Sequence, residues 1–222
     1  MTFAEKTLAF YRQLAPGKKL PNGVGILNPY SRPETIAACE AFYGKFYNDN
    51  KIRRIIFGIN PGRFGAGVTG IPFTDPIHLE TACGIPNNFD KKPELSSQFI
   101  YMLIENMGGV IPFYRHYFIG AVSPLGFVKN GKNFNYYDDR LLEQSLKSFI
   151  IKNMVRQVAL GISIDKCFCL GNGKNFIYLQ RLNAELKIFK KVISLPHPRW
   201  IMQYRRKQLQ NYLNEISRQL SI

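Results

Sequence analysis

The segment from residue 58 to residue 76 has the composition of a loop that approaches a ligand closely. It holds five glycines and three prolines in nineteen residues, so it cannot continue a helix or a strand. Small residues let a backbone come near a bound molecule and present its amide groups to it. The spacing fits neither the Walker pattern nor Gly-x-Gly-x-x-Gly, and no Lys-Ser/Thr pair follows. The segment therefore predicts a ligand site, with an ordinary tight connection as the alternative.

Two side chains that could take part in catalysis follow strand-like runs that lie far apart in the sequence. Asn60 follows the apolar run 53–59, and His197 follows the run 191–195. An amide can orient a water molecule but cannot take its proton as a carboxylate can, whereas an imidazole can donate a hydrogen bond. The other two histidines, His78 and His116, do not follow a strand and are interpreted as surface or core residues.

The elements that must position these residues alternate between helix and strand patterns. We predict helices over 2–14, 34–47, 97–107, 138–158, 174–186 and 200–219, with Ser96 capping the third of them. We predict strands over 53–59, 117–122, 166–170 and 191–195. Strands separated by helix-length connections indicate βαβ crossovers and therefore a parallel sheet with helices on both faces. The expected fold is one domain over residues 1–222, an α/β fold in which a three-layer α/β/α sandwich has a central, mainly parallel four-stranded sheet.

This fold predicts where a site would lie. In open parallel sheets, ligands bind in the crevice outside the carboxyl ends of the strands. The loops that leave those ends begin at Asn60, Ser123, Gly171 and His197. We therefore expect Asn60 and His197 to meet at one site although 137 positions separate them.

Composition and charge narrow the partner class. The formal net charge is +15, and residues 112–222 carry 18 basic and 6 acidic side chains. Such an excess favours a polyanionic partner, either nucleic acid or an anionic membrane surface, with a solvated basic surface as the alternative. The chain has no apolar run of about 18 residues, the minimum for a spanning helix, and Glu5 and Lys6 interrupt any apolar signal sequence. We therefore expect an intracellular protein.

The cysteines do not predict a metal or a cofactor. Cys39, Cys83, Cys167 and Cys169 have spacings of 44, 84 and 2 residues, which suit neither a disulfide scaffold nor a four-thiolate cluster. No His, Asp or Glu cluster has metal-ligand spacing. We expect no metal and no cofactor.

The glycine-rich segment resembles a known family. Gly58-x-Asn60-Pro61-Gly62, then Phe64-Gly65, then Thr69-Gly70-x-Pro72-Phe73 is similar to the first active-site motif of the single-strand-selective monofunctional uracil-DNA glycosylases (family 3 of the uracil-DNA glycosylase superfamily). Leu195-Pro196-His197-Pro198-Arg199 is similar to the second motif. The resemblance covers about residues 50–210 and identifies the chain as a divergent member of bacterial type.

The resemblance implies roles for the motif residues. Asn60 would position the attacking water, His197 would donate a hydrogen bond to the base oxygen, and Phe73 would stack on a base rotated out of the DNA. Asp75 does not belong to the motif, and we expect it either to act as a base near the sugar or to form a turn before Pro76. The remaining expected substrate contacts are Ile59, Gly62, Phe64, Gly65, Ala121 and Ser123.

One position departs from the family pattern. The family has an Asn at the end of the second strand that pairs with the edge of uracil, and alignment on Pro124-Leu125 puts Ala121 there. Alanine cannot hydrogen-bond a base edge, and it leaves more room. We therefore expect weakened pyrimidine selectivity, with excision of hypoxanthine and xanthine in addition to uracil.

Basic residues around the motifs are expected to contact DNA. Arg199 is the first candidate for a wedge that occupies the gap left by the extruded base. As the alternative, Trp200, Ile201 and Tyr204 pack inward while the cations face solvent. The full set of expected DNA contacts is Arg63, Arg199, Arg205, Arg206 and Lys207.

The sequence thus favours a DNA glycosylase that hydrolyses the N-glycosidic bond of a deaminated base and leaves an abasic site. No lysine stands at a motif position to form an imine, so strand cleavage is not expected to accompany excision. Two alternatives stay open: a non-catalytic nucleic-acid-binding α/β domain and a hydrolase of free nucleosides. The expected partner is single- or double-stranded DNA in the bacterial cytoplasm or nucleoid, and the expected state is a monomer.

Overall fold

The computed structural model describes residues 1–15 and 20–221, which form seven β-strands and ten α-helices. The strands are β1 (Val24–Leu27), β2 (Arg53–Gly58), β3 (Tyr117–Ala121), β4 (Gly126–Lys129), β5 (Lys132–Phe134), β6 (Ile162–Leu170) and β7 (Lys191–Leu195). The helices are α1 (Phe3–Arg12), α2 (Pro33–Phe46), α3 (Ala66–Thr69), α4 (Pro76–Thr81), α5 (Leu95–Asn106), α6 (Val110–His116), α7 (Arg140–Val158), α8 (Lys174–Leu186), α9 (Pro198–Tyr204) and α10 (Leu209–Ser221).

A parallel sheet with the strand order β3-β2-β6-β7 forms the centre of the molecule. Its inner strand β2 begins with Arg53 and Arg54 and continues as an apolar run, in which Ile55, Ile56 and Phe57 are buried. A strand buried on both faces needs helices on both sides to exclude water. The helices flank the sheet accordingly, which confirms the predicted three-layer α/β/α fold and the four strands.

Several helix boundaries differ from the sequence-based prediction. Helix α5 begins two residues earlier than expected, because Glu94 rather than Ser96 caps it by accepting a hydrogen bond from the Ser97 backbone N–H. The predicted last helix is interrupted at Arg205, and a 3₁₀ turn over Arg206–Gln208 separates α9 from α10. The short helices α3, α4 and α6 were not predicted, since four to seven residues give too few turns for a periodic pattern.

A second, antiparallel sheet with the order β1-β4-β5 was also not predicted. Its three strands are only three or four residues long, below the length at which alternation is readable. One local signal was present, because Asn130-Gly131 connects β4 to β5 with both residues at positive φ (50° and 69°). Asn-Gly between two short strands is the preferred sequence of a tight hairpin turn.

The small sheet packs directly on the glycine-rich loop that follows β2. A Cβ atom at Gly126 would lie 2.3 Å from the carbonyl oxygen of Pro61, and one at Gly67 would lie 2.5 Å from the Leu27 side chain. Real Cβ atoms do not come this close to other atoms, so these two glycines are required for the contact. The glycines of the loop therefore allow a second sheet to be placed against it.

The hydrophobic core continues from one end of the described chain to the other, since it includes Phe3 of α1 and Leu220 of α10. Among the described residues, no helix combines the length and the apolar character needed to cross a membrane.

Candidate active site

A cavity of about 350 Å³ lies at the carboxyl ends of the parallel strands. Asn60 follows β2, Ala121 ends β3 and His197 follows β7, and all three line this cavity together with Phe73. Its volume is in the range of sites that hold small organic molecules. Of the residues singled out from the sequence, the cavity is lined by Ile59, Asn60, Gly62, Gly65, Phe73, Ala121, His197 and Arg199.

Hydrogen bonds from the small sheet fix the amide of Asn60. Its Nδ2 donates to the carbonyl oxygen of Phe134 at 3.4 Å, and its Oδ1 accepts from the backbone N–H of Tyr136 at 3.2 Å. These partners decide which way the amide faces. A carbonyl oxygen accepts two hydrogen bonds, so Oδ1 keeps one lone pair with which to hold a water molecule.

His197 is held as one neutral tautomer. It caps α9, and its Nδ1 accepts a hydrogen bond from the backbone N–H of Arg199 at 3.1 Å. A nitrogen that accepts cannot carry the proton, so the proton resides on Nε2, where it can be donated. Burial, with a smaller contribution from the charge of Arg199, lowers the pKa of His197 to about 4. The imidazole is therefore a neutral hydrogen-bond donor at pH 7.

Phe73 adopts a left-handed backbone conformation with φ of 55°, which costs a bulky residue about 1–3 kcal/mol. Its ring lies on the backbone of Gly58, where a Cβ atom would be 2.6 Å from the ring carbon Cε2. Strained residues of this kind persist only where the surrounding structure holds them. The surrounding structure therefore holds the strained backbone of Phe73, and the missing side chain at Gly58 leaves room for its ring at the cavity.

Small residues enlarge the cavity where β3 ends. Ala121 and Ala66 both line it, and neither carries a polar side chain. The backbone of Ala121 is itself occupied, because the buried amide of Gln157 donates to its carbonyl oxygen at 3.0 Å and accepts from its N–H at 3.4 Å. This part of the cavity is therefore apolar, and its wall is held by a buried side-chain amide.

Three of the residues expected to act in catalysis or to contact the substrate do not line the cavity. Asp75 is fully buried as the cap of α4, and its carboxylate accepts hydrogen bonds from His78 and from the backbone of Glu94. Ser123 is also buried and donates to the carbonyl oxygen of Leu125. Phe64 is 41% exposed outside the cavity.

The environment of Asp75 opposes a role as a base. Burial raises the pKa of its carboxyl, but hydrogen bonds from His78 and from the Glu94 backbone outweigh burial and hold the pKa below 3.8. A carboxylate that is held ionised by several donors is a poor proton acceptor. The structure therefore favours the alternative in which Asp75 forms a structural turn.

Four polar residues line the cavity without having been singled out as site residues from the sequence. Glu94 and Ser96 come from the start of α5, and Asn133 and Asn135 come from β5 and the residue after it. They were missed because they belong to the helix start that was misplaced and to the small sheet that was not predicted. The Asn130-Gly131 turn was the one signal that could have placed the two asparagines near the loop.

Of the basic residues expected at a DNA surface, Arg199 is the one that lines the cavity among the described residues. Arg199 is exposed at its edge, and the Arg63 guanidinium lies 4.9 Å from the ring centre of Phe64. A second cavity of about 530 Å³ is lined by His197 and Arg199 as well, so the two cavities adjoin. The remaining basic residues are exposed beyond α9: Arg205, Arg206 and Lys207.

The aromatic residues of α9 only partly follow the inward-packing alternative. Ile201 is buried, but Trp200 is 39% exposed and Tyr204 is 66% exposed. The Arg205 guanidinium lies 4.9 Å from the Trp200 ring centre. This surface therefore combines cations with accessible aromatic rings, as single-stranded nucleic-acid sites do.

No group of three or more metal-ligating side chains occurs within residues 1–15 and 20–221. Each of the four cysteines is buried and free of disulfide bonds. Burial raises the pKa of the Cys83 thiol to about 11, and hydrogen bonding from Tyr101 only partly offsets it. The cysteine side chains therefore belong to the core.

Comparison with known proteins assigns the family. The family model described as "Uracil DNA glycosylase superfamily" matches residues 45–221, which is most of the chain. The chain therefore belongs to the uracil DNA glycosylase superfamily. It is a DNA glycosylase of base-excision repair, a hydrolase of N-glycosyl bonds that acts on DNA.

A solved structure places the chain more closely. A crystal structure of wild-type SMUG2 from Pedobacter heparinus is similar with a TM-score of 0.97 and 46% sequence identity, over 100% of this chain and 97% of that one. No protein of curated function matches the chain. The findings support a protein of the single-strand-selective monofunctional type, as the motifs predicted.

The low pKa of His197 predicts a specific pH dependence. The unfolded chain binds a proton on this side chain below about 6.5, and the folded chain does so only near pH 4. The folded state therefore loses stability as the pH falls through this interval.

The His197 imidazole resonance can be assigned by NMR because it is absent from the spectrum of His197→Asn. We expect a pH titration of this resonance to give a pKa near 4. We expect the single-turnover rate to stay constant between pH 5.5 and 8. An inflection near pH 6.5 that is absent from His197→Asn would contradict the neutral donor.

The contact between Gly58 and Phe73 predicts that Gly58→Ala displaces the aromatic ring. We expect kcat/KM on a uracil-containing oligonucleotide to fall about tenfold or more, equivalent to roughly 1.4 kcal/mol. Gly44→Ala is the matched control, because a Cβ atom there meets no other atom within 4 Å. Unchanged kcat/KM in Gly58→Ala would show that the position of the ring does not matter.

Proposed function

We propose that the cavity binds a deaminated base rotated out of DNA and that Asn60 and His197 carry the hydrolysis. The observation that carries this proposal is that both side chains line one cavity together with Phe73. A base within a duplex is inaccessible, so the enzyme must extrude it before the reaction. Phe73 would then stack on the face of the base.

Asn60 positions the attacking water through the free lone pair of Oδ1. An amide cannot remove a proton, so the water attacks a sugar that already resembles an oxocarbenium ion. The C1′–N bond breaks, its electron pair goes to the base, and the water oxygen bonds to C1′. The proton that the water loses passes through solvent to the departing base anion, because the Asn60 amide cannot accept it.

His197 stabilises the departing base. Its Nε2–H donates to the carbonyl oxygen on which negative charge develops as the bond breaks. A neutral imidazole does this without transferring a full proton, and the Arg199 backbone N–H keeps the donor on Nε2. Since no lysine lines the cavity among the described residues, we also propose that the enzyme is monofunctional and does not cleave the strand.

We propose that the substrates include hypoxanthine and xanthine as well as uracil. Ala121 and Ala66 supply no hydrogen bond to the base, and their small size leaves room for a purine. The basic residues Arg63, Arg199, Arg205, Arg206 and Lys207 are proposed to contact phosphates, with Arg199 as the wedge at the edge of the cavity.

We also propose that residues 1–222 form one domain that acts as a monomer in the bacterial cytoplasm or nucleoid. One hydrophobic core that includes both Phe3 and Leu220 supports the single domain. The net charge of +15 favours DNA over free nucleosides as the substrate, because free nucleosides have no phosphates for basic side chains to contact.

Removal of the Asn60 amide or the His197 imidazole is expected to slow excision strongly while DNA binding is kept. We expect Asn60→Ala and His197→Ala to lower the single-turnover rate of uracil excision about 100-fold or more. The assay is alkali cleavage of abasic sites, and the untreated sample should show no strand break. Asn48→Ala and His116→Ala, which change exposed residues outside the cavity, are the controls. Wild-type rates in Asn60→Ala would overturn the assignment.

Ala121→Asn is expected to narrow the lesion range. The added amide can pair with a base edge and fills part of the cavity, so the ratio of uracil to hypoxanthine excision should rise about tenfold or more. Ala121→Val adds bulk without a hydrogen bond and should lower excision of both bases. Strict uracil preference in the wild-type enzyme would refute the broad range.

A further inference from the structure

Glu94 presents its carboxyl group to the cavity that holds the base in the proposed function. It lies just before α5 and lines the cavity with Phe73 and Asn60. One of its oxygens, Oε2, accepts the hydrogen bond from the Ser97 N–H at 2.8 Å. Within residues 1–15 and 20–221, no hydrogen bond to the other oxygen and no ion pair to Glu94 occurs. The carboxylate thus has unused acceptor capacity.

A closed ring of hydrogen bonds holds this carboxylate in place. The Glu94 N–H donates to Asp75 Oδ2 at 3.0 Å, the Asp75 N–H donates to Ser97 Oγ at 3.1 Å, and the Ser97 N–H donates to Glu94 Oε2. Asp75 and Ser97 are both fully buried. Asp75 stands two residues after Phe73, so the ring fixes Glu94 relative to the aromatic face.

The end of β3, where the resemblance places the side chain that reads the base edge, offers no polar side chain to the cavity. Ala121 stands where an amide would read the base edge, and its backbone is bonded to Gln157. A cavity that discriminates between bases needs a polar group that hydrogen-bonds to one base. The same group must remain unpaired, or face a second acceptor, when another base is bound. Glu94 is the one acidic side chain among the described residues that line the cavity.

We propose that Glu94 discriminates uracil and hypoxanthine from cytosine and adenine by accepting a hydrogen bond from the ring N–H of the extruded base. Uracil carries this donor at N3, and hypoxanthine and xanthine carry it at N1. Cytosine and adenine have a lone pair at the corresponding nitrogen, which a carboxylate repels. Deamination of cytosine or adenine creates the very donor that Glu94 accepts. Asp75 is then a positioning residue that acts through Glu94.

Removing the base donor tests this inference without changing the protein. N3-methyluracil lacks the N–H, so the wild-type enzyme should excise it about 100-fold or more slowly than uracil. The Glu94→Ala variant makes no hydrogen bond to the N3–H group, so methylation removes no interaction there, and its cavity has more room for the methyl group. Its loss on N3-methylation should stay below about tenfold. An equal loss in both proteins would overturn the proposal.

Glu94→Gln provides a second, nearly isosteric test. Its amide oxygen should still accept from Ser97, which turns the NH₂ group toward the base. Uracil excision should then fall about 10- to 100-fold, and the ratio of uracil to cytosine excision should fall further. Glu105→Gln on the same helix is the matched control, because Glu105 is exposed and lies outside the cavity. A melting temperature close to that of the wild type checks folding.

The outcomes separate this inference from the proposed function on which it rests. Wild-type excision of uracil with an unchanged rate and ratio in Glu94→Gln would overturn the role of Glu94 and leave the glycosylase assignment intact. Absence of base release by the wild-type protein would overturn both.

Discussion

The parallel pairing of β2, β6 and β7 is the constraint on which the active site depends. Asn60 leaves the end of β2 and His197 leaves the end of β7, with β6 between them. Neighbouring strands lie about 4.8 Å apart, so the two strand ends are separated by roughly 10 Å. This is room for one flat heterocycle with a group on either side. In the proposed function, the sheet thus sets the distance between Asn60, which holds the water, and His197, which donates to the leaving base.

The sheet alone does not orient the reacting groups. The Asn60 amide takes its direction from Phe134 and Tyr136, which belong to the small sheet and its exit. That sheet can reach the loop only because Gly126 meets Pro61 without a side chain. The His197 tautomer comes from the start of α9 instead. Each reacting group is therefore fixed by backbone contacts that other elements provide.

The sequence predicted the parallel sheet well because its strands are apolar and separated by clear helices. It also predicted that Asn60 and His197 would meet, since strand ends in a parallel sheet lie on one edge. It could not predict Glu94 or Asn133 in the cavity, because these belong to a helix start and a three-residue strand without readable periodicity. Asp75 was a candidate base because it is a carboxylate near the motif. Its burial and its hydrogen-bond partners depend on the tertiary fold, which the sequence pattern does not specify.

We propose that one cavity holds the extruded base between Asn60 and His197. A crystal structure with DNA containing 2′-fluoro-2′-deoxyuridine tests it most directly, because fluorine at C2′ disfavours the cationic sugar and leaves the base attached. We expect uracil to be stacked on Phe73, with its O2 within about 3.2 Å of His197 Nε2 and a water on Asn60 Oδ1. Uracil bound outside this cavity, or still within the duplex in a productive complex, would contradict it.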